Sequence, residues 1–136
     1  MKLFKLNLVL VLFFSTLVAA CGSKKPPTPP PPPSEQPIAF THNAGTNVLN
    51  PGPSLNFTVT LTSTMPTSGI KVEVSTKEEA GGNAVGTNSS VNSTSAAVSA
   101  SVSALPRQLW CIVTIKVSSV NTPSNSATQT FRVVYK

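Results

Sequence analysis

Between Leu109 and Val117 every second residue is apolar: Leu109, Cys111, Val113, Ile115 and Val117. Side chains of an extended chain point alternately to opposite faces, so this spacing lays all five on one side of a strand. A helix needs apolar residues three and four apart, and no window of this chain shows that period. The two-residue period recurs. Leu55, Phe57, Val59 and Leu61 alternate with Asn56, Thr58, Thr60 and Thr62. Ile70, Val72 and Val74 alternate with Lys71, Glu73 and Ser75, and Phe131, Val133 and Tyr135 with Arg132, Val134 and Lys136. Val98 and Val102 share a face with Ala96, Ala100 and Ala104, opposite Ser99, Ser101 and Ser103. An opening strand is expected over residues 38–41 and a short one near 46–49. Turn signals separate these runs: Asn50-Pro51-Gly52-Pro53, Met65-Pro66-Thr67-Ser68-Gly69, Gly81-Gly82-Asn83, Pro106 and Asn121-Thr122-Pro123. The pattern predicts an all-β fold, an antiparallel sandwich of six or seven short strands spanning residues 37–136.

The residues ahead of that domain have a different character. Pro26-Pro27-Thr28-Pro29-Pro30-Pro31-Pro32-Pro33 can join neither helix nor sheet, because proline lacks the amide donor and fixes its own φ. Residues 21–36 therefore read as a polyproline tether, rising about 3.1 Å per residue and holding the domain on the order of 45 Å from its attachment. Lys2 and Lys5 give a positive start, and residues 6–18 are apolar apart from Asn7, Ser15 and Thr16. A bilayer-spanning helix needs about 20 apolar residues, so this shorter run reads as the core of an export signal covering residues 1–20. The small residues Ala19 and Ala20 precede Cys21, where a signal peptidase needs narrow side chains.

Leu17-Val18-Ala19-Ala20-Cys21 resembles the lipobox of bacterial lipoproteins. Membership in that family implies cleavage between Ala20 and Cys21, a diacylglycerol on the Cys21 thiol and further acylation of the new amino terminus. Each buried methylene contributes about 0.8 kcal/mol, so two or three chains hold firmly where one is marginal. Val18 departs from the leucine that the family favours three residues before the cysteine. The resemblance also implies a cell-envelope location. Gly22, in place of aspartate, points to the outer membrane, and Lys24-Lys25 departs from the acidic run of surface-displayed lipoproteins, which points to the periplasmic face. The strand rhythm of residues 37–136 is similar to immunoglobulin-like and fibronectin-III-like domains, which implies a single Ig-like β-sandwich of about seven strands. Cys111 then lies on an F-like strand, but the B-like strand from Leu55 to Leu61 has no cysteine. Leu109 stands where that family has a tyrosine, and Trp110 lies on the other face. The departures imply a core without a disulfide, held by aliphatic packing.

Composition narrows the function. The formal charge is +6, of which Lys2 and Lys5 account for two of the ten bases, leaving eight against four acids and a net of +4. These bases are scattered without interleaved aromatics, so no nucleic-acid footprint is present. There is no aspartate, one histidine (His42) and four glutamates, Glu35, Glu73, Glu78 and Glu79. A Ser-His-Asp triad cannot be assembled, and no paired acids stand at a spacing useful for catalysis. We expect no enzyme, no cofactor and no metal site. Cys111 reads as a small buried hydrophobe rather than a nucleophile, and His42 as a loop histidine, solvated or locally hydrogen-bonded. Glu78-Glu79 reads as a charged loop tip. Asn56, Asn88 and Asn92 match the glycosylation tripeptide, which is unused if the lipobox reading holds. The tract 87–103 reads as a flat, hydroxyl-rich outer strand. Trp110 and Ile112 project opposite the main apolar face of their strand and form a candidate contact patch, unless a loop or the opening strand covers them. The chain thus reads as a non-enzymatic binding or structural module attached to the membrane through Cys21. The sequence leaves its partner, protein or glycan, unassigned; the alternative readings are a carbohydrate- or peptidoglycan-binding surface module and an accessory subunit of an envelope assembly. Oligomeric state leaves no sequence signal.

Overall fold

The computed structural model describes residues 34–136. The export signal, the Ala20–Cys21 bond, Cys21 itself and the proline run lie outside the described residues. Those described are all-β, with eight strands in two sheets. In chain order they are β1 (Phe40–His42), β2 (Asn47–Asn50), β3 (Leu55–Leu61), β4 (Ile70–Glu78), β5 (Ser89–Ser93), β6 (Ala97–Val102), β7 (Trp110–Ser119) and β8 (Ser126–Tyr135). The smaller sheet has the order β1-β3-β6 and the larger β2-β8-β7-β4-β5.

The alternating apolar residues form one core shared by the two sheets. From the small sheet come Phe40, Phe57, Val59, Leu61, Val98 and Val102; from the large one Ile70, Val72, Val74, Cys111, Val113, Ile115, Val117, Phe131 and Val133. Each fully buried aliphatic side chain contributes about 1.5–3 kcal/mol, and the sandwich-like arrangement lets both sheets bury one face at once. β7 is central, hydrogen-bonded to β4 from Cys111 to Ser119 and to β8 from Trp110 to Ser118.

Four features differ from the sequence expectation. Eight strands form instead of about seven, because the tract 87–103 folds as two strands, β5 and β6. Small hydroxylic residues hide the reversal between them. Not every pairing is antiparallel, since β2 runs parallel to β8, Asn47 opposite Arg132 and Leu49 opposite Val134. The chain leaves β1 in one sheet and joins the other as β2, too soon to reverse direction. The core is not aliphatic alone: Phe57 meets Phe131 edge-on, with ring centroids 5.3 Å apart. His42 ends β1 instead of lying in a loop; its ring is 5.1 Å from that of Phe131, and its Nδ1 is buried without a partner. An imidazole following Phe40 by two residues takes the same core-side face of the strand.

The compact unit takes in the last residues before Pro37. Ser119 Oγ donates to Glu35 Oε1 at 3.0 Å. Asn125 Nδ2 donates to Glu35 Oε2 and to the Gln36 carbonyl, while its Oδ1 accepts from Ile38 N–H. Thr64 Oγ1 donates to Gln36 Oε1 at 2.8 Å. The chain is thereby fixed to the β7–β8 turn where it enters the domain.

Turn geometry depends on glycine at two close approaches. Gly69 has φ +81°, and a Cβ there would stand 2.5 Å from the Ser93 carbonyl oxygen; Gly86 has φ +68° and would stand 2.6 Å from that of Ser103. Either substitution combines left-handed strain with a backbone clash.

Ile115, fully buried at the centre of β7, should be the sensitive core position. Ile115→Ala is expected to cost about 2–5 kcal/mol, read as a lowered midpoint in urea unfolding. Thr130→Ala, exposed on β8, should change stability by less than about 0.5 kcal/mol.

Candidate functional site

Strand register decides what shares the outer face of the large sheet. Trp110 pairs with Val134, which in turn pairs with Leu49. The next outward row runs Lys77, Ile112, Arg132, Asn47. Directly opposed side chains on one face are neighbours, so Leu49, Val134, Trp110 and Ile112 form one apolar group. Trp110 and Ile112 are half-buried, and Leu49 is 57% exposed. Val134 is 7% exposed although it faces outward.

A charged strap crosses this group. The Arg132 guanidinium lies 4.6 Å from the Trp110 ring centroid and pairs with Glu79 Oε2. A cation over an indole face is worth about 0.5–1 kcal/mol at an exposed site. The Glu79 N–H donates to the Trp110 carbonyl at 2.9 Å, which carries the β4–β7 ladder beyond Glu78 and holds the carboxylate beside Arg132. The patch therefore offers an apolar floor crossed by one ion pair.

The sequence places Trp110 and Ile112 outward, and the structure adds Leu49, Val134 and Arg132. Nothing in the sequence associates Leu49 with Trp110, because only the parallel β2–β8 register brings them together. The signal for Val134 was present, since it alternates with Phe131, Val133 and Tyr135 as an apolar residue on the polar side.

The remaining reactive groups are dispersed. Cys111 has no disulfide partner among the described residues and is buried on the core face of β7. Burial pushes its thiol pKa up, and the nearby Glu78 charge adds to the rise. On the outer face, Lys71 Nζ donates to Glu73 Oε1 at 2.7 Å. That hydrogen bond, more than the charges of Lys71 and Lys116, holds the Glu73 carboxyl below the usual range, with burial opposing it. Glu78 accepts from Asn83 Nδ2 at 3.0 Å. Among the described residues no three of the His, Cys, Asp and Glu side chains converge on one point. The outer face of the small sheet carries a shallow, open depression lined by Asn43, Asn56, Thr58, Ser99 and Ser101, a surface of hydroxyls and amides.

No known protein family matches this sequence, and no curated protein matches it either.

Native protein should react with a thiol reagent at Cys111 only as fast as it opens, and denaturant should release that thiol at once; fast labelling of the folded chain would place the sulfur at the surface instead. For Glu73 the lowered pKa means stability that is present above the ordinary carboxyl pKa and lost as pH falls through the lowered one. Both partners are about 40% exposed (42% and 39%), so Glu73→Gln is expected to cost under about 1 kcal/mol at neutral pH. The difference should vanish in acid, as measured by paired urea titrations.

Proposed function

We propose that this chain is a non-enzymatic lipoprotein of the bacterial envelope, anchored through Cys21 and presenting an immunoglobulin-like domain to a protein partner. Several features support the domain assignment. The order β1-β3-β6 parallels strands A, B and E of that fold, and β8-β7-β4 parallels G, F and C. β2 then stands as the second half of a split A strand and β5 as an added edge strand. Cys111 falls on the F-like strand, and Phe57 of the B-like strand packs between the sheets against Phe131 of the G-like strand.

The observation that carries the functional reading is the polarity of the domain. Glu35 and Gln36 are fixed beside Ser119 and Asn125, at one end of β7. Trp110 begins that strand at its other end. At about 3.3 Å per residue, the ten-residue strand separates the two by about 30 Å. The chain thus enters the domain at one end, and the apolar patch lies at the other. An attachment made through the residues before Ser34 therefore does not use the patch, which stays available to a partner. A glycan-binding reading draws on the depression of Asn43, Asn56, Thr58, Ser99 and Ser101, which has the hydroxyl and amide chemistry that sugars accept.

Intact-mass measurement of membrane-extracted protein should show a chain beginning at an acylated Cys21; an unmodified Cys21 or a retained Met1 would defeat the anchor. Trp110→Ala should lower stability by about 1–2 kcal/mol, less than Ile115→Ala, while abolishing recovery of the partner from detergent-solubilised membranes. A stability loss as large as that of Ile115→Ala would make Trp110 a structural residue. Binding to cell-wall glycan that survives Trp110→Ala but fails in Asn56→Ala/Ser101→Ala would replace the protein partner with a sugar.

A further inference from the structure

The edges of the two sheets are treated unequally. Unpaired strand edges invite other strands, and proteins blunt them with short strands, proline, bulges, charge or a covering group. On one side, β1 has three residues and β2 has four. Pro37 precedes the first, and Pro51 and Pro53 follow the second. Gln129 Nε2 also covers β1, donating to the Phe40 carbonyl at 2.6 Å. The other side is formed by β5 and β6. From Ala80 to Pro106 the chain carries no charge at all. β5 itself holds no proline, and its pairing with β4 runs from Ile70↔Ser93 to Val74↔Ser89 without a bulge. Val91 pairs with buried Val72 and so faces the core side, yet it is 44% exposed.

We propose that the edge of β5 that pairs with no other described strand is a self-association edge, on which two copies of this chain pair antiparallel along residues 89–93. With a two-fold axis at Val91, Val91 meets the partner's Val91, Ser90 meets the partner's Asn92 and Ser89 meets the partner's Ser93. Each opposed pair is then apolar with apolar or hydroxyl with hydroxyl or amide, and like charges nowhere face each other. Charge selects a second copy over a foreign chain. The residues outside the export signal are net basic, so two copies repel wherever their lysines and arginines meet. On this side the edge strand itself brings none, and Lys71, the base on the neighbouring strand beside Asn92, is already paired with Glu73. An acidic or basic partner of another kind would find no counter-charge on β5. A two-fold contact of this sort is self-complementary. Five residues a side fall short of the roughly 1,000 Å² that a stable interface buries. The pairing is therefore weak in dilute solution and strengthens where copies are held close together.

Disulfide trapping in the full-length chain tests it. Opposed Cβ atoms in such a ladder stand about 5 Å apart, close enough to cross-link. Under mild oxidation Val91→Cys should form intermolecular dimers roughly tenfold faster than Ser90→Cys, whose counterpart is offset. The unsubstituted chain controls for Cys21 and Cys111. A mixture of Ser89→Cys and Ser93→Cys chains should join to each other in preference to themselves, and adding Val91→Lys should abolish that joining. Equal rates at positions 90 and 91 overturn the proposal. So does a Val91→Cys chain that cross-links only to other proteins, which would give the edge to a different partner. Each readout compares variants at one protein concentration, so the comparison holds whether or not Cys21 carries lipid.

Discussion

β7 is bonded on both sides along almost its entire length, to β4 and to β8. Its inward side chains, Cys111, Val113, Ile115 and Val117, are all buried. A strand so placed must satisfy every backbone group within the sheet, because water reaches neither neighbour ladder. Its register therefore fixes the large sheet: a slip by one residue would turn this apolar row to solvent and bring Trp110 and Ile112 inside. Phe131, beside β7 on the same face, carries the order across the core. Its ring meets Phe57 of the small sheet edge-on and His42 at a tilt. The two sheets are thus keyed together by aromatic rings, with β7 setting where those rings stand.

The same register gives the molecule two unlike ends. At one, the β7–β8 turn uses Ser119 and Asn125 to hold Glu35 and Gln36. At the other, the outward side chains of β2, β8 and β7 gather into an apolar floor crossed by the Arg132–Glu79 pair. Attachment and contact are served by opposite ends of one strand in the proposed function, so neither need interfere with the other.

Edges complete the account. The β1–β2 side is closed by short strands, prolines and Gln129, whereas the β5–β6 side is left polar and uncharged. An open, neutral edge in a chain otherwise scattered with lysine and arginine is a specific distribution of charge, and it gives the low-complexity tract a place in the proposed self-association. Its serines and threonines keep the edge soluble while leaving the backbone free to pair.

The fold class was legible in the sequence because alternation is a local property: two residues per repeat put Leu109 to Val117 on one face whatever surrounds them. The turns were legible for the same reason, since proline fixes φ where it stands and glycine admits the positive φ that a turn needs. Residues 87–103 resisted, because serine and alanine have neither the bulk to mark a buried face nor the charge to mark an exposed one. His42 was misplaced because its neighbours resemble a loop, and only the pairing with Val59 makes it a strand residue. Trp110 and Ile112 could be oriented from parity alone. Their grouping with Leu49 and Val134, the strap of Arg132, the anchoring of Glu35 and the openness of β5 required the tertiary structure. Each depends on which strands become neighbours and in what direction they run, and the long-range burial that decides this leaves no local mark on the residues concerned.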